Sequence, residues 1–152
     1  MPEKIDLQIG IKEINEISFS NKPLPISEDE VVLGKNLVYG IGLNININLD
    51  EELITLRLLV NYTLTNNEIV TSLESEIVFH IINLRNAVKQ YEDKKRVNIV
   101  DDLMATLLGV SIGTARGILS TKTRGSQMAK FPLPIINAKD LISQMKNSKN
   151  KE

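Results

Sequence analysis

The chain has 152 residues and a formal net charge of −1 at pH 7, a size typical of one domain. Hydrophobic residues make up 42% of it and charged residues 24%, a balance that excludes an intrinsically disordered protein. Cysteine is absent and His80 is the only histidine, which excludes a disulfide framework, a thiolate metal site and a cysteine nucleophile. We therefore expect a single domain over residues 1–152 that is not an enzyme and uses no metal or cofactor.

The sequence also bears on location. No stretch approaches the roughly 20 apolar residues that a membrane helix needs. The first ten residues carry acids and no apolar signal core. We expect a soluble, cytoplasmic protein without membrane insertion.

Charge is distributed unevenly along the chain. Residues 1–84 carry 5 Lys/Arg and 13 Asp/Glu, whereas residues 85–130 carry 9 Lys/Arg and 4 Asp/Glu. This asymmetry indicates two physically distinct layers, and the basic part leaves nucleic-acid binding open.

The first predicted element is a strand over residues 5–20. Its apolar positions alternate through Ile5, Leu7, Ile9 and Ile11 and then shift to a different set, which predicts a bulge or bend that resets the alternation: Ile14, Ile17 and Phe19. Residues 21–30 contain two prolines and three consecutive acids and are predicted to form a loop.

Three more strands follow. Residues 37–49 alternate strictly, and residues 53–65 and 68–82 repeat the pattern with polar residues on the opposite face. Short turns join them. The four strands predict an antiparallel meander with one buried and one solvated face.

The period then changes to that of helices. Residues 84–95 form a polar, helix-compatible connection, and Asn98 is a candidate cap for a long helix that starts at Ile99 and ends before Gly125. The prolines of residues 131–137 require an extended segment. A short helix from Ala138 and a flexible tail over about residues 146–152 complete an α+β fold of four strands, a long helix and a short C-terminal helix.

Small residues recur every four positions in the long helix, as Ala105, Gly109, Gly113 and Gly117. Each interior glycine costs about 1 kcal/mol relative to alanine, so this glycine stripe requires an explanation. Two explanations are equally good: the stripe packs against the sheet of the same chain, or it forms a close contact between subunits.

Residues 105–124 also match a helix-turn-helix pattern. In that interpretation Ala105 packs between two helices, Gly109 makes the turn, and Arg116, Lys122 and Arg124 contact DNA. The alternative function is therefore a DNA-binding regulator with an appended β-sheet. It leaves the four strands without a role, so nucleic acid is the less favoured partner.

Five ordered segments resemble the SecB family of export chaperones. EISFS resembles the first strand of the family, TLRLLVNYTL the third and EIVFHI the fourth. TARGILSTKTRG is similar to the family's long helix, and FPLPIINAKDLI to its C-terminal segment. In this chain they are residues 16–20, 55–64, 76–81, 114–125 and 131–142.

The resemblance implies an ATP-independent holdase that binds unfolded polypeptides and assembles as a homotetramer, a dimer of dimers packed through the long helices. The glycine stripe would then lie at the subunit interface. Clients would be preproteins for export or a dedicated antitoxin of a toxin–antitoxin system. The predicted client-binding residues flank the proline segment: Phe19, Phe131, Leu133, Ile136, Leu141 and Met145.

The resemblance is incomplete at one functional surface. SecB docks the translocase motor SecA partly through acidic positions on the sheet, and these map to Glu16, Ser20 and Ser72. Only Glu16 is acidic, so it is the one predicted docking residue. The sequence does not predict delivery to SecA.

Overall fold

A computed structural model describes residues 8–90 and 97–149. It contains four long strands, β1 (Gln8–Asn21), β2 (Leu37–Asn48), β3 (Leu53–Leu64) and β4 (Ile69–Ile82), a short pair, β5 (Val88–Gln90) and β6 (Val97–Ile99), and two helices, α1 (Asp101–Lys122) and α2 (Ala138–Lys149). The predicted α+β fold is confirmed. Ile5 and Leu7, the tail beyond residue 149 and residues 91–95 of the predicted connection lie outside the described residues.

The long strands form one antiparallel sheet in the order β1-β4-β3-β2. β2, β3 and β4 are consecutive hairpins and form the predicted meander. β1 pairs with β4 instead of β2, so the connection after β1 crosses to the far edge, as in a Greek key. β1 and β2 are therefore the two edge strands.

The predicted break in alternation along β1 is confirmed. The register against β4 shifts between Ile11 and Glu13 and again between Glu16 and Ser18. Each shift returns an apolar residue to the same face, so that Ile14 pairs with Ile77 and Phe19 pairs with Leu73.

The sheet has one apolar and one polar face. The inner face, which packs against α1, contains the fully buried side chains Leu56, Ile77 and Phe79. On the outer face, Arg57 lies 3.6 Å from Glu74 and 3.2 Å from Glu76. The predicted division into a buried and a solvated face is confirmed.

α1 is a single uninterrupted helix of 22 residues. It is long and apolar enough by length and composition to cross a membrane, contrary to the sequence-based expectation. Its leucines, however, are buried against β3 and β4, as Leu107 and Leu108 show with 0% exposure. It is the core helix of this domain.

The helix-turn-helix interpretation is wrong. Gly109 lies inside α1, and the hydroxyl of Ser111, two residues further on, donates to the carbonyl of Leu107 within the same helix. Without a turn there is no separate recognition helix. Of the three predicted DNA contacts, Arg116 binds backbone carbonyls and Lys122 pairs with Glu16.

Three boundaries differ from the prediction. α1 begins at Asp101, because Ile99 is the last residue of β6. Residues 84–90 form a 3₁₀ turn and strand β5 in place of a helix. α2 continues to Lys149, so residues 147–149 are helical and not a flexible tail.

The glycine stripe faces away from the sheet. Gly109, Gly113 and Gly117 are exposed, and a Cβ atom added at any of them would meet no heavy atom within 4 Å. Packing of the three glycines against the sheet of the same chain is therefore wrong, whereas Ala105, the first residue of the stripe, is half-buried against the core. The other interpretation, a close contact at the glycines, therefore requires a partner outside this chain.

Candidate functional site

A groove of about 490 Å³ opens at the β2 edge of the sheet. β2 forms one side, the proline segment (residues 131–137) forms another, and the first turns of α2 close it. Five apolar or aromatic side chains dominate its lining, with one glycine and three polar residues: Tyr39, Ile41, Ile135, Ile136 and Leu141, then Gly40, Asn137, Asp140 and Gln144.

β2 contributes main-chain groups as well as side chains. Within residues 8–90 and 97–149 the only long strand that pairs with β2 is β3. One isolated bridge joins Leu37 to Leu33, and the rest of the other edge presents N–H and C=O groups without a strand partner. An unpaired edge of this kind accepts an additional extended segment.

The proline segment is extended because Pro132 and Pro134 lack N–H donors and disfavour helix before them. Its backbone is held by α1: Arg116 donates from Nε to the Leu133 carbonyl at 2.8 Å and from Nη2 to the Pro134 carbonyl at 2.7 Å. The side chains of this extended segment differ widely in exposure. Leu133 is 2% exposed, whereas Ile135 is 94% exposed.

α2 is positioned by a cap, an apolar face and ion pairs. The Asn137 side chain accepts from the Asp140 N–H at 3.1 Å, which caps the first turn. Ile142 is buried. At the surface, Lys146 lies 2.8 Å from Asp101 at the start of α1.

An aromatic pair lies next to the groove. Tyr39 lines it, and the ring of Tyr62 lies 6.5 Å away at an angle of 49°. Tyr62 is 2% exposed. Burial raises the pKa of Tyr62 to about 12, with a smaller contribution from Tyr39, while the positive charge of Arg116 acts in the opposite direction.

The lining of the groove is poor in titratable groups. Its only carboxylate is Asp140, which has no second acid or histidine beside it in the lining, so no general acid/base pair is formed. Among residues 8–90 and 97–149 no three His, Asp or Glu side chains converge as a metal site.

The structure places only some predicted client-binding residues in the groove. Ile136 and Leu141 line it, while Phe131 and Met145 are half-buried outside its lining. Leu133 does not fit its predicted role, because its side chain belongs to the core.

Phe19 lies at the other edge of the sheet. The register runs from Phe19 through Leu73 and Val60 to Ile41, so three strand spacings, about 14 Å, separate Phe19 from the groove side of β2. Its ring instead lies beneath the Lys122 ammonium, 5.8 Å from the ring centroid. Phe19 is therefore not part of this groove.

Glu16 does not form an acidic docking surface with the other two mapped positions. It pairs in register with the buried inner-face residue Ser75, whereas Ser20 pairs with Ser72 on the outer face. Its carboxylate lies 3.0 Å from Lys122 Nζ. The predicted docking residue thus lies on the opposite face and is bound within the chain.

The sequence pattern did not identify Ile135, which at 94% has the highest exposure among the large hydrophobic side chains of the described residues. Ile135 is separated from Leu133 by one proline, and the pattern alone does not show which isoleucine of the Ile135–Ile136 pair points outward. Tyr39, Gly40 and Ile41 were recognised only as parts of a strand.

No protein-family model matches the chain, and no curated protein matches it in sequence. Among solved structures, the chain is similar to the Mycobacterium tuberculosis SecB-like chaperone Rv1957, in complex with a ChAD peptide from the HigA1 antitoxin Rv1956. The similarity covers 85% of this chain and 86% of that chain, with 11% sequence identity and a TM-score of 0.48.

Burial of the Tyr62 side chain makes folding stability depend on pH in the alkaline range. An unfolded tyrosine ionises near pH 10, so folding stability is fully present below about pH 10 and falls as the pH rises towards about 12. We expect Tyr62→Phe to remove this part of the pH dependence. The check is urea unfolding across the alkaline range, beside titration of phenolate absorbance. A wild-type protein in which Tyr62 ionises near pH 10 would contradict the buried environment.

Proposed function

We propose that this protein is an ATP-independent holdase of the SecB type, which binds extended apolar segments of unfolded polypeptides in the β2 groove. The observation that carries the proposal is Ile135, an aliphatic side chain with 94% exposure that lines the β2 groove together with Ile136 and Leu141. An exposed aliphatic side chain beside further apolar surface marks an interaction site.

The groups that the groove offers suit the binding of polypeptides of varied sequence. The free edge of β2 offers hydrogen bonds to any backbone, and aliphatic side chains contact apolar side chains with little directional preference. A binding site for one defined small molecule would instead require several convergent polar groups. The function is therefore holding a polypeptide.

The sequence resemblance supports two classes of client, preproteins for export and a dedicated antitoxin. Both would be met as unfolded chains in the cytoplasm. Delivery to SecA is not part of the proposal, because Glu16 is paired with Lys122 and faces α1.

We also propose that the chain assembles as a homotetramer through the glycine stripe of α1. Three exposed glycines lower helix stability by about 1 kcal/mol each, and no contact within the described chain compensates for them. A second helix backbone can approach a surface that lacks side chains. This supports the dimer of dimers that the resemblance implies.

Replacement of the exposed isoleucine tests the groove. We expect Ile135→Ser to weaken capture of an unfolded polypeptide about tenfold, since a buried isoleucine contributes about 1.5–3 kcal/mol. The fold should survive because this side chain is exposed. The measurement is fluorescence anisotropy with labelled, reduced and carboxymethylated α-lactalbumin, beside circular dichroism and mass.

Ile82→Ser is the matched control. Ile82 is 41% exposed and lies eleven residues along β4 from Thr71, the partner of Tyr62, which places it about 35 Å from the groove end of the sheet. Its replacement should leave affinity unchanged. Equal affinities of both variants and the wild type would reject the groove as the client site.

Two substitutions at one glycine test the assembly. In an isolated chain Gly113→Ala should stabilise α1 by about 1 kcal/mol, because the added Cβ meets nothing. In the tetramer we expect Gly113→Leu to dissociate the oligomer, because overpacking costs about 1–3 kcal/mol at each contact. Light scattering measures the mass, and thermal unfolding measures stability.

Ser143→Leu serves as the control, since Ser143 is an exposed residue of α2 and lies outside α1. Its mass should equal that of the wild type. A Gly113→Leu protein with unchanged mass and raised stability would show that the stripe faces water.

A further inference from the structure

The stretch from Pro132 to Ile136 lacks the usual means of fixing an extended backbone. Within the described residues, main-chain hydrogen bonding stops at the Phe131 N–H, which binds the Met128 carbonyl, and resumes with the Leu141 N–H, which binds the Asn137 carbonyl. No strand pairs with the stretch between them. Something other than a sheet must hold Ile135 at the groove.

The guanidinium of Arg116 is the polar group that does so. Its two hydrogen bonds, at 2.8 and 2.7 Å, reach the consecutive carbonyls of Leu133 and Pro134, the two residues that immediately precede Ile135. A planar guanidinium can donate to both at once, whereas an ammonium is a single compact donor group.

Arg116 is not engaged in an ion pair. No carboxylate of residues 8–90 and 97–149 lies within 4.0 Å of its nitrogens, although Arg57, Arg85 and four lysines do form such pairs. Its hydrogen bonds in this part of the chain go to the proline segment. The residue therefore serves that segment and not a surface charge network.

Arg116 lies on a turn of α1 that is held in place by core packing. Ala115 is 0% exposed and Leu119 is 4% exposed, so the helix turn that carries Arg116 is packed into the core. Leu133 is buried, and Phe131 and Ile136 are partly buried against the core, whereas Ile135 is 94% exposed and has no such anchor. The two carbonyl contacts fix the backbone just before Ile135.

We propose that Arg116 is a positioning residue of the β2 groove: it holds the Leu133 and Pro134 carbonyls so that Ile135 and Ile136 face a bound polypeptide. This role rests on the proposed holdase function. Without the guanidinium, the segment retains its burial at Leu133 but samples several backbone conformations, and binding a client then includes the cost of ordering them.

The experiment compares Arg116→Met, which keeps a long apolar stem, with Arg116→Lys, which keeps the charge. Arg124→Met is the matched control, because Arg124 is exposed and has no hydrogen bond or ion pair within the described residues. The affinity probe is labelled, reduced and carboxymethylated α-lactalbumin. We expect about tenfold weaker binding for Arg116→Met, a smaller loss for Arg116→Lys and none for Arg124→Met.

A second measurement reports position directly. The chain has no cysteine, so Ile135→Cys with Asn46→Cys, an exposed site on β2, gives two unique sites for spin labels. Pulsed dipolar spectroscopy without client, on labelled chains diluted into unlabelled protein, should show a broader distance distribution in Arg116→Met than in the parent. A role confined to fold stability would lower the melting temperature without broadening this distribution.

The outcomes separate the two proposals. Unchanged affinity or an unchanged distribution in a folded Arg116→Met protein overturns the positioning role. If that variant does not fold, Arg116→Lys decides: native affinity and distribution overturn the proposal, and so does failure to fold, because Arg116 would then be required for the fold itself. If the wild type does not bind the probe, the holdase function fails, while the distance distribution still tests how Arg116 holds the segment.

Discussion

One helix cannot cover a four-stranded sheet, and the exposed surfaces of this protein follow from that constraint. α1 is about 10 Å wide with its side chains, while the outer strands lie about 14 Å apart. Packed on β3 and β4, it buries the middle of the inner face and leaves both edges partly uncovered. On β1 the inner-face residues Ile9, Ile11 and Ile14 remain 40–51% exposed. On β2 the proline segment and α2 lie over the uncovered strip and leave the groove between them and the strand.

The proline segment suits this position because it cannot complete the sheet. A segment with all its N–H groups could pair with the edge of β2 and close it. Pro132 and Pro134 remove donors and prevent helix formation, so the segment lies beside the strand and is held from the other side by Arg116. The edge of β2 is left with its own hydrogen-bonding groups unpaired, and the apolar side chains of the segment line the groove.

Local pattern predicted the strands, a single break in the alternation of β1 and the extended proline segment, because each is decided by neighbours in sequence. The face of a helix that meets the sheet is a tertiary property: the every-fourth-residue spacing of Gly109, Gly113 and Gly117 is the same whether the stripe faces the core or water. Glu16 was misplaced for a related reason, since two bulges decide which side of β1 it occupies. Leu133 and Ile135 could not be ranked because their exposures depend on the bonds from Arg116, a residue in another element.

The magnitudes indicate that one groove alone holds a client weakly. Three buried aliphatic side chains contribute about 6 kcal/mol, and a few edge-strand hydrogen bonds about 3 kcal/mol more. Ordering five client residues costs about 5 kcal/mol, which leaves about 4 kcal/mol, a dissociation constant near the millimolar range. A long unfolded chain that reaches several grooves raises its affinity by effective concentration, by a factor of about 10²–10⁴. The proposed holdase function would therefore need several grooves for each client, and the side-chain-free stripe on the outer face of α1 is the surface that the proposed assembly would use.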